Sequence, residues 1–307
     1  MKKQVLQLVF LLPALLAVKN THAQTEPSYR QYKFNALTLN PAHAGCNAYS
    51  DISAIRTQYW VGVPGAPVTS TVSANFRLQE NFGAGATVIY DETGPARSTS
   101  VNLIGAAHVE VSSDWKLSAG LKISALNYTV NTAELETTAA NDPDMMHNIT
   151  TGLSLNAGFG FLLYSKKVFV GFSVPRVSFL RFDETNMGQV VDKRGGYISY
   201  AGVNIDLGRD FELRPSVLAI YGYAGPVSLD INAVFTAYKL IDLGVTYHAN
   251  GSIGAIAGLT IKDRFYIGYA YTYPVNAMRK ASVQSHEIGL RFMFNRAAKT
   301  RNPRFFN

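Results

Sequence analysis

The stretch His286-Glu-Ile-Gly-Leu-Arg-Phe-Met-Phe294 decides how this chain is read. Side chains of a strand alternate between its two faces. Ile288, Leu290, Phe292 and Phe294 therefore share one face, and Glu287, Gly289, Arg291 and Met293 the other. An apolar face and a charged face on one strand leave open which of them meets the protein interior. Three further stretches repeat the pattern with the same contrast. In 227–237, Leu229, Ile231, Ala233 and Phe235 oppose Ser228, Asp230, Asn232 and Thr236. In 242–250, Leu243, Val245 and Tyr247 oppose Asp242, Gly244, Thr246 and His248. In 264–273, Phe265, Ile267, Tyr269, Tyr271 and Tyr273 oppose Gly268, Ala270 and Thr272.

Such segments recur along most of the chain. They fall near 51–60, 67–78, 82–91, 98–111, 115–129, 152–164, 167–175, 196–207, 211–221, 226–238, 241–250, 252–262, 264–273 and 283–295, which makes about fourteen strands. The connections alternate in character. Gln79-Glu80-Asn81, Ser112-Ser113-Asp114, Ser165-Lys166-Lys167, Gly208-Arg209-Asp210, Tyr238-Lys239-Leu240 and Lys262-Asp263-Arg264 are tight and polar. The long connections, 61–66, 92–97, 130–151, 176–195 and 274–282, all fall between them. An even strand number with short turns at one end and longer loops at the other is the plan of an outer-membrane barrel. A closed barrel also satisfies every backbone group in lipid, which an open sheet cannot. The expected fold is all-β, a transmembrane antiparallel barrel of about fourteen strands with both termini periplasmic. Its apolar face looks at lipid and its charged face at the lumen.

Composition agrees. Of the 307 residues only 16% are charged, while 12% are aromatic, with Tyr 17, Phe 17 and Gly 25. Soluble domains carry about a quarter charged residues. The net charge of +7 comes from scattered Lys and Arg, without the basic stripe or aromatic-basic motif of a nucleic-acid binder. Lys2-Lys3, the apolar run 5–18 and Thr21-His22-Ala23 follow the plan of a secretory signal peptide. The sole cysteine, Cys46, excludes an internal disulfide and lies too far along to be a lipidated N-terminus. The expected organisation is a signal peptide at 1–23, a periplasmic N-terminal segment at 24–47, the barrel at 48–296 and a short tail at 297–307. The N-terminal segment is long enough to enter the lumen from the periplasmic end.

Catalytic and metal chemistry finds little support. His43, His108, His147, His248 and His286 show no metal spacing, and no serine nucleophile motif accompanies them. Asn141-Asp142-Pro143-Asp144 offers a ligand run too short for a calcium loop. No phosphate-cradling glycine loop is present, and no cofactor or metal is expected. The glycines sit inside strands, where they relieve crowding in a curved wall.

Asn40-Pro-Ala-His-Ala-Gly45, Arg56-Thr-Gln-Tyr-Trp-Val-Gly62 and Gly65-Ala-Pro-Val-Thr69 resemble the N-terminal signature of the PorP/SprF family. The resemblance continues through 81–95, 142–146 and 155–177 and covers most of the chain. The family's Arg-x-Gln-Trp spacing is one residue longer here, between Arg56 and Trp60. The resemblance implies a non-enzymatic outer-membrane component of the type IX secretion system. It further implies assistance in secretion or surface attachment of one cargo protein, such as a gliding adhesin, by binding its C-terminal sorting domain. The implied partners are the secretion machinery, that cargo and outer-membrane lipid. Asn40, Pro41, Gly45, Arg56, Trp60, Gly65, Pro67 and Thr69 are then the candidate partner-binding residues, or else they shape the first hairpin. The rival expectation is a passive porin or small hydrophobic-solute channel.

Overall fold

A computed structural model describes residues 35–132, 149–181, 196–222, 227–249, 251–276 and 284–294. A short helix α1 (Ala36–Leu39) and a 3₁₀ turn (Pro41–His43) precede the sheet. The strands are β1 (Ser50–Gln58), β2 (Val68–Arg77), β3 (Phe82–Thr93), β4 (Ala96–Glu110), β5 (Lys116–Val130), β6 (Ile149–Tyr164) and β7 (Val168–Arg181). Next come β8 (Tyr197–Val203, resuming at Ile205–Asp206), β9 (Phe211–Tyr221), β10 (Ser228–Ala237) and β11 (Ile241–His248). The last three are β12 (Ser252–Ile261), β13 (Phe265–Pro274) and β14 (Ser285–Phe294). Each strand pairs antiparallel with its neighbours in sequence. The opening stretch closes the ring: β14 pairs β1 from Ser50 opposite Phe294 to Gln58 opposite His286. The molecule is a closed fourteen-stranded antiparallel barrel.

Burial settles which face is which. On the outer wall Leu103 is 66% exposed and Leu121 69%, whereas inward-facing Thr57 and Glu287 are both at 0%. Such an inverted surface is costly in water and favourable against acyl chains. Aromatic residues rim both ends. Outward tyrosines Tyr90, Tyr197, Tyr221 and Tyr247 lie toward the long connections. Outward phenylalanines Phe76, Phe82, Phe211, Phe265 and Phe292 lie toward the short turns. Some of the latter touch, as Phe265 and Phe292 do with ring centres 5.0 Å apart. Polar-tipped rings suit the membrane boundary. Among the described residues no helix is long and apolar enough to cross a membrane.

Several strands run longer than the sequence pattern predicts. β3 and β4 continue until only Gly94 and Pro95 separate them, so the connection expected at 92–97 is a tight turn. Gly94 supplies the positive φ of 56° that this turn needs. The polar residues Glu92, Thr93 and Arg97 resemble a loop in sequence, but they are ladder residues standing above the apolar belt. Likewise β7 extends to Arg181, past the bulges of its pairing with β6. Charged face residues do not all enter the lumen: Asp206 sits at the short-turn rim, where its carboxylate is 3.5 Å from Lys167 Nζ.

Candidate functional site: a plugged lumen

Residues 35–49 do not hang below the barrel. They enter the lumen and fill its short-turn half. Asn40, Ala42 and Ala44 are at 0% exposure. Local chemistry shapes the segment first. Asn40 caps the 3₁₀ turn, its side-chain oxygen accepting from Ala42 N at 2.8 Å, and Pro41 supplies the first turn residue, where no N–H is needed. Gly45 takes a positive φ of 69° and turns the chain toward β1.

The wall is cut to receive this segment. An added Cβ on Gly160 would come within 2.1 Å of Asn40 Oδ1, and one on Gly120 within 2.3 Å of the Pro41 carbonyl carbon. Gly83 faces Ala44 at 2.1 Å by the same measure. These inward positions lack side chains because the plug occupies the space, with backbone at Gly120 and Gly83 and with the Asn40 side chain at Gly160. The plug's polar groups are met one by one. Asn40 Nδ2 donates to the carbonyls of Phe161 at 3.0 Å and Phe172 at 3.2 Å and to Tyr200 Oη at 2.8 Å. Ser173 donates to Leu39 O, Ser118 to Ala42 O, and the Gly45 N–H donates to Asn75 Oδ1. His108 Nε2 lies 2.8 Å from Ala44 O, and His43 Nε2 lies 2.6 Å from Tyr200 Oη. Buried polar groups this fully paired hold one position rather than a family of them.

Burial, with His108 adding to it, lowers the His43 imidazole to about 3. His43 is therefore neutral, with Nε2 accepting from Tyr200. Burial pushes the Cys46 thiol up to about 12, so the sole cysteine is an inert group while the segment is seated.

The opposite side of the lumen carries paired charges. Arg214 on β9 meets Asp242 on β11 at 2.7 Å, and the same carboxylate accepts from Thr236 and Tyr266. Arg291 on β14 lies 3.7 Å from Asp51 on β1 across the closing seam. Asp230 on β10 and His248 on β11 are 2.6 Å apart, a cross-strand pair. Between Tyr49 and Arg214 a small mixed-charge hollow of about 30 Å³ opens at the short-turn rim.

The eight candidate residues divide into two groups that the fold does not bring together. Asn40, Pro41 and Gly45 lie in the plug. Arg56 and Trp60 are outward and exposed at the long-connection end. Gly65 packs its backbone on Gly94, whose N–H donates to Gly65 O at 2.8 Å. Pro67 accepts from Tyr59 N just before β2, and Thr69 points into the lumen toward Asp91. The wall glycines, Ser118, Ser173 and Tyr200 escaped sequence reasoning, since inward small residues look alike whether they face water or a plug. The calcium candidate at 141–144 lies outside the described residues.

Residues 21–292 match the family described as type IX secretion system membrane protein PorP/SprF. The chain belongs to that family. Its membership joins the closed ladder and lipid-facing wall in placing the protein in the outer membrane as a type IX secretion component. No curated protein matches the sequence. Among solved structures, Omp33 of Acinetobacter baumannii is 10% identical, covering 81% of this chain and 100% of its own, with a TM-score of 0.47. A Pseudomonas aeruginosa FadL homologue is 12% identical, covering 89% and 95%, with a TM-score of 0.45. The CymD monoaromatic hydrocarbon channel is 11% identical, covering 85% and 91%, at 0.46. Likeness this low carries no inference, and the barrel rests on its own ladder.

Proposed function

We propose that this PorP/SprF barrel is a non-enzymatic partner of the type IX machinery. It assists secretion or surface attachment of one cargo protein, such as a gliding adhesin, by binding that cargo's C-terminal sorting domain. The observation that supports this reading is the filled lumen. A segment tied to six strands by its own carbonyls and amides leaves the rims and connecting loops as the working surfaces. In this reading both termini are periplasmic, residues 24–47 form the periplasmic entry to the barrel, and 297–307 is a short tail. Cargo then meets the short-turn rim, with its mixed-charge hollow, or the connections from β5 to β6 and from β7 to β8. Trp60, Gly65 and Pro67 shape the opposite rim. The rival, a passive porin or small hydrophobic-solute channel, is disfavoured by a lumen filled at residues 35–49.

Crosslinking in intact cells followed by purification from outer membranes tests the proposal. Secretion components and one protein bearing a sorting domain are expected on the bait. Unchanged surface display of every type IX cargo after deletion of the gene would reject it. Steady conductance from the intact chain in planar bilayers would favour the channel.

A further inference from the structure

The outer wall carries a polar patch where β14 closes on β1. Arg56 and Gln58 of β1 point outward and are exposed. The Arg56 guanidinium donates to Ser70 Oγ at 3.1 Å and meets no carboxylate among the described residues. Beside them His286 also points outward, its Nδ1 2.6 Å from Tyr269 Oη, with the Tyr271 ring edge-on 5.4 Å away. The nearby Glu92 carboxylate is already engaged by Arg97 at 3.5 Å. A cation on the lipid face is tolerated near the membrane boundary rather than at mid-depth, and there it seeks an anion.

An apolar groove adjoins the patch. Small Ala255 and Ala257 on β12 form its floor, Leu243 and Phe235 one wall, and Tyr269 and Tyr271 the other, a shallow, open depression of about 610 Å³ on the lipid side. Register ties groove to patch. Ala255 pairs Tyr271, Tyr271 pairs His286, and His286 pairs Gln58, one continuous row over four strands. The row beneath runs from Ala257 through Tyr269 and Ile288 to Arg56. With neighbouring strands about 4.8 Å apart, three steps span about 14 Å. Along the barrel axis the groove descends from the level of the patch toward mid-membrane. Apolar contact below and a cation above, in that order, match an amphiphile lying along the wall. A protein partner offers no reason for this ordering, and a free anion has no use for the groove.

We propose that this wall binds one phosphate-bearing membrane lipid, with its phosphate on Arg56, Gln58 and His286 and an acyl chain in the groove over Ala255 and Ala257. The inference does not depend on which cargo the barrel serves. If the long connections face outward, the ligand belongs to the outer leaflet, where a multi-chain phosphoglycolipid has the required breadth.

The test is native mass spectrometry of the mature protein in mild detergent with diphosphoryl lipid A as probe, alongside heat-modifiable migration to show that each variant forms the barrel. The wild type is expected to retain one lipid. An Arg56→Gln, His286→Gln double variant is expected to retain it about tenfold less well. Ala257→Phe fills the groove and should lose the lipid with the charges intact. Excess inorganic phosphate should not displace it. Equal retention by wild type and both variants overturns the proposal. So does displacement by inorganic phosphate, which would mean a simple anion site. A photocrosslinker at position 257 that captures a protein rather than lipid in cells overturns it in favour of a partner barrel.

Discussion

Asn40 shows how much one side chain can hold. Its amide joins the plug to β6, β7 and β8 at once while capping its own turn. Replacement by alanine leaves several buried groups without that partner, at about 1 kcal/mol or more each. Asn40→Ala is therefore expected to weaken plug seating by about 2–4 kcal/mol. Cys46 reports it directly, because the sole thiol is buried when the segment is seated. Maleimide should label Cys46 slowly in the wild type and at least tenfold faster in Asn40→Ala, a shift of about 1.4 kcal/mol or more in the open population. Acid should act on the same contact. The seated His43 imidazole is lowered to about 3, whereas a released one titrates near its ordinary 6.5. Above about pH 6.5 both forms are neutral and seating is at full strength. As pH falls from there toward 3, the released form takes up the proton first and seating weakens. Labelling of Cys46 during a pH step, measured at matched thiolate fraction, should accelerate on acidification, and His43→Gln should blunt that response.

At the scale of elements, the wall glycines have opposite roles on the two faces of neighbouring strands. Gly120 on β5 faces the plug, and an added Cβ meets Pro41 and Ala42 backbone within 2.5 Å. Gly105 on the neighbouring β4 points outward, with nothing within 4 Å of an added Cβ. Gly120→Val is expected to expel the segment yet leave the ladder, whereas Gly105→Val is expected to leave both intact. Cys46 labelling and heat-modifiable migration together separate these outcomes. A second element-level device is the carboxylate of Asp242, which gathers Arg214, Thr236 and Tyr266 from β9, β10 and β13. Asp242→Ala removes all three contacts and leaves a buried guanidinium short of its counter-charge. It should cost about 3 kcal/mol or more, read as an earlier midpoint in urea unfolding of the detergent-solubilised barrel.

The whole molecule is a rigid ring around a filled half-lumen. Deleting residues 35–48 removes the filling but none of the strands. The deletion variant should show steady conductance in planar bilayers, and the intact chain should be silent. A conducting intact chain would mean that the plug leaves under those conditions, which the Cys46 assay would register independently. Silence in both would place the block elsewhere in the lumen.

The alternation of residues such as Ile288, Leu290 and Phe292 against Glu287 and Arg291 determined the barrel and the sense of its faces, because strand geometry is local. Every second side chain must share an environment whatever the rest of the chain does. The parity of turns followed for the same reason, and only Glu92–Arg97 misled, since polar ladder residues above the membrane resemble a loop. The plug was decided by tertiary structure alone. Asn40 meets Phe161 across 121 positions and Tyr200 across 160. No local pattern distinguishes a wall glycine that faces solvent from one that faces Pro41. Nor does the two-residue period alone tell that Arg56 and His286 become diagonal neighbours on the outer wall. That nearness exists only because β14 closes on β1, so it belongs to the ring rather than to either strand.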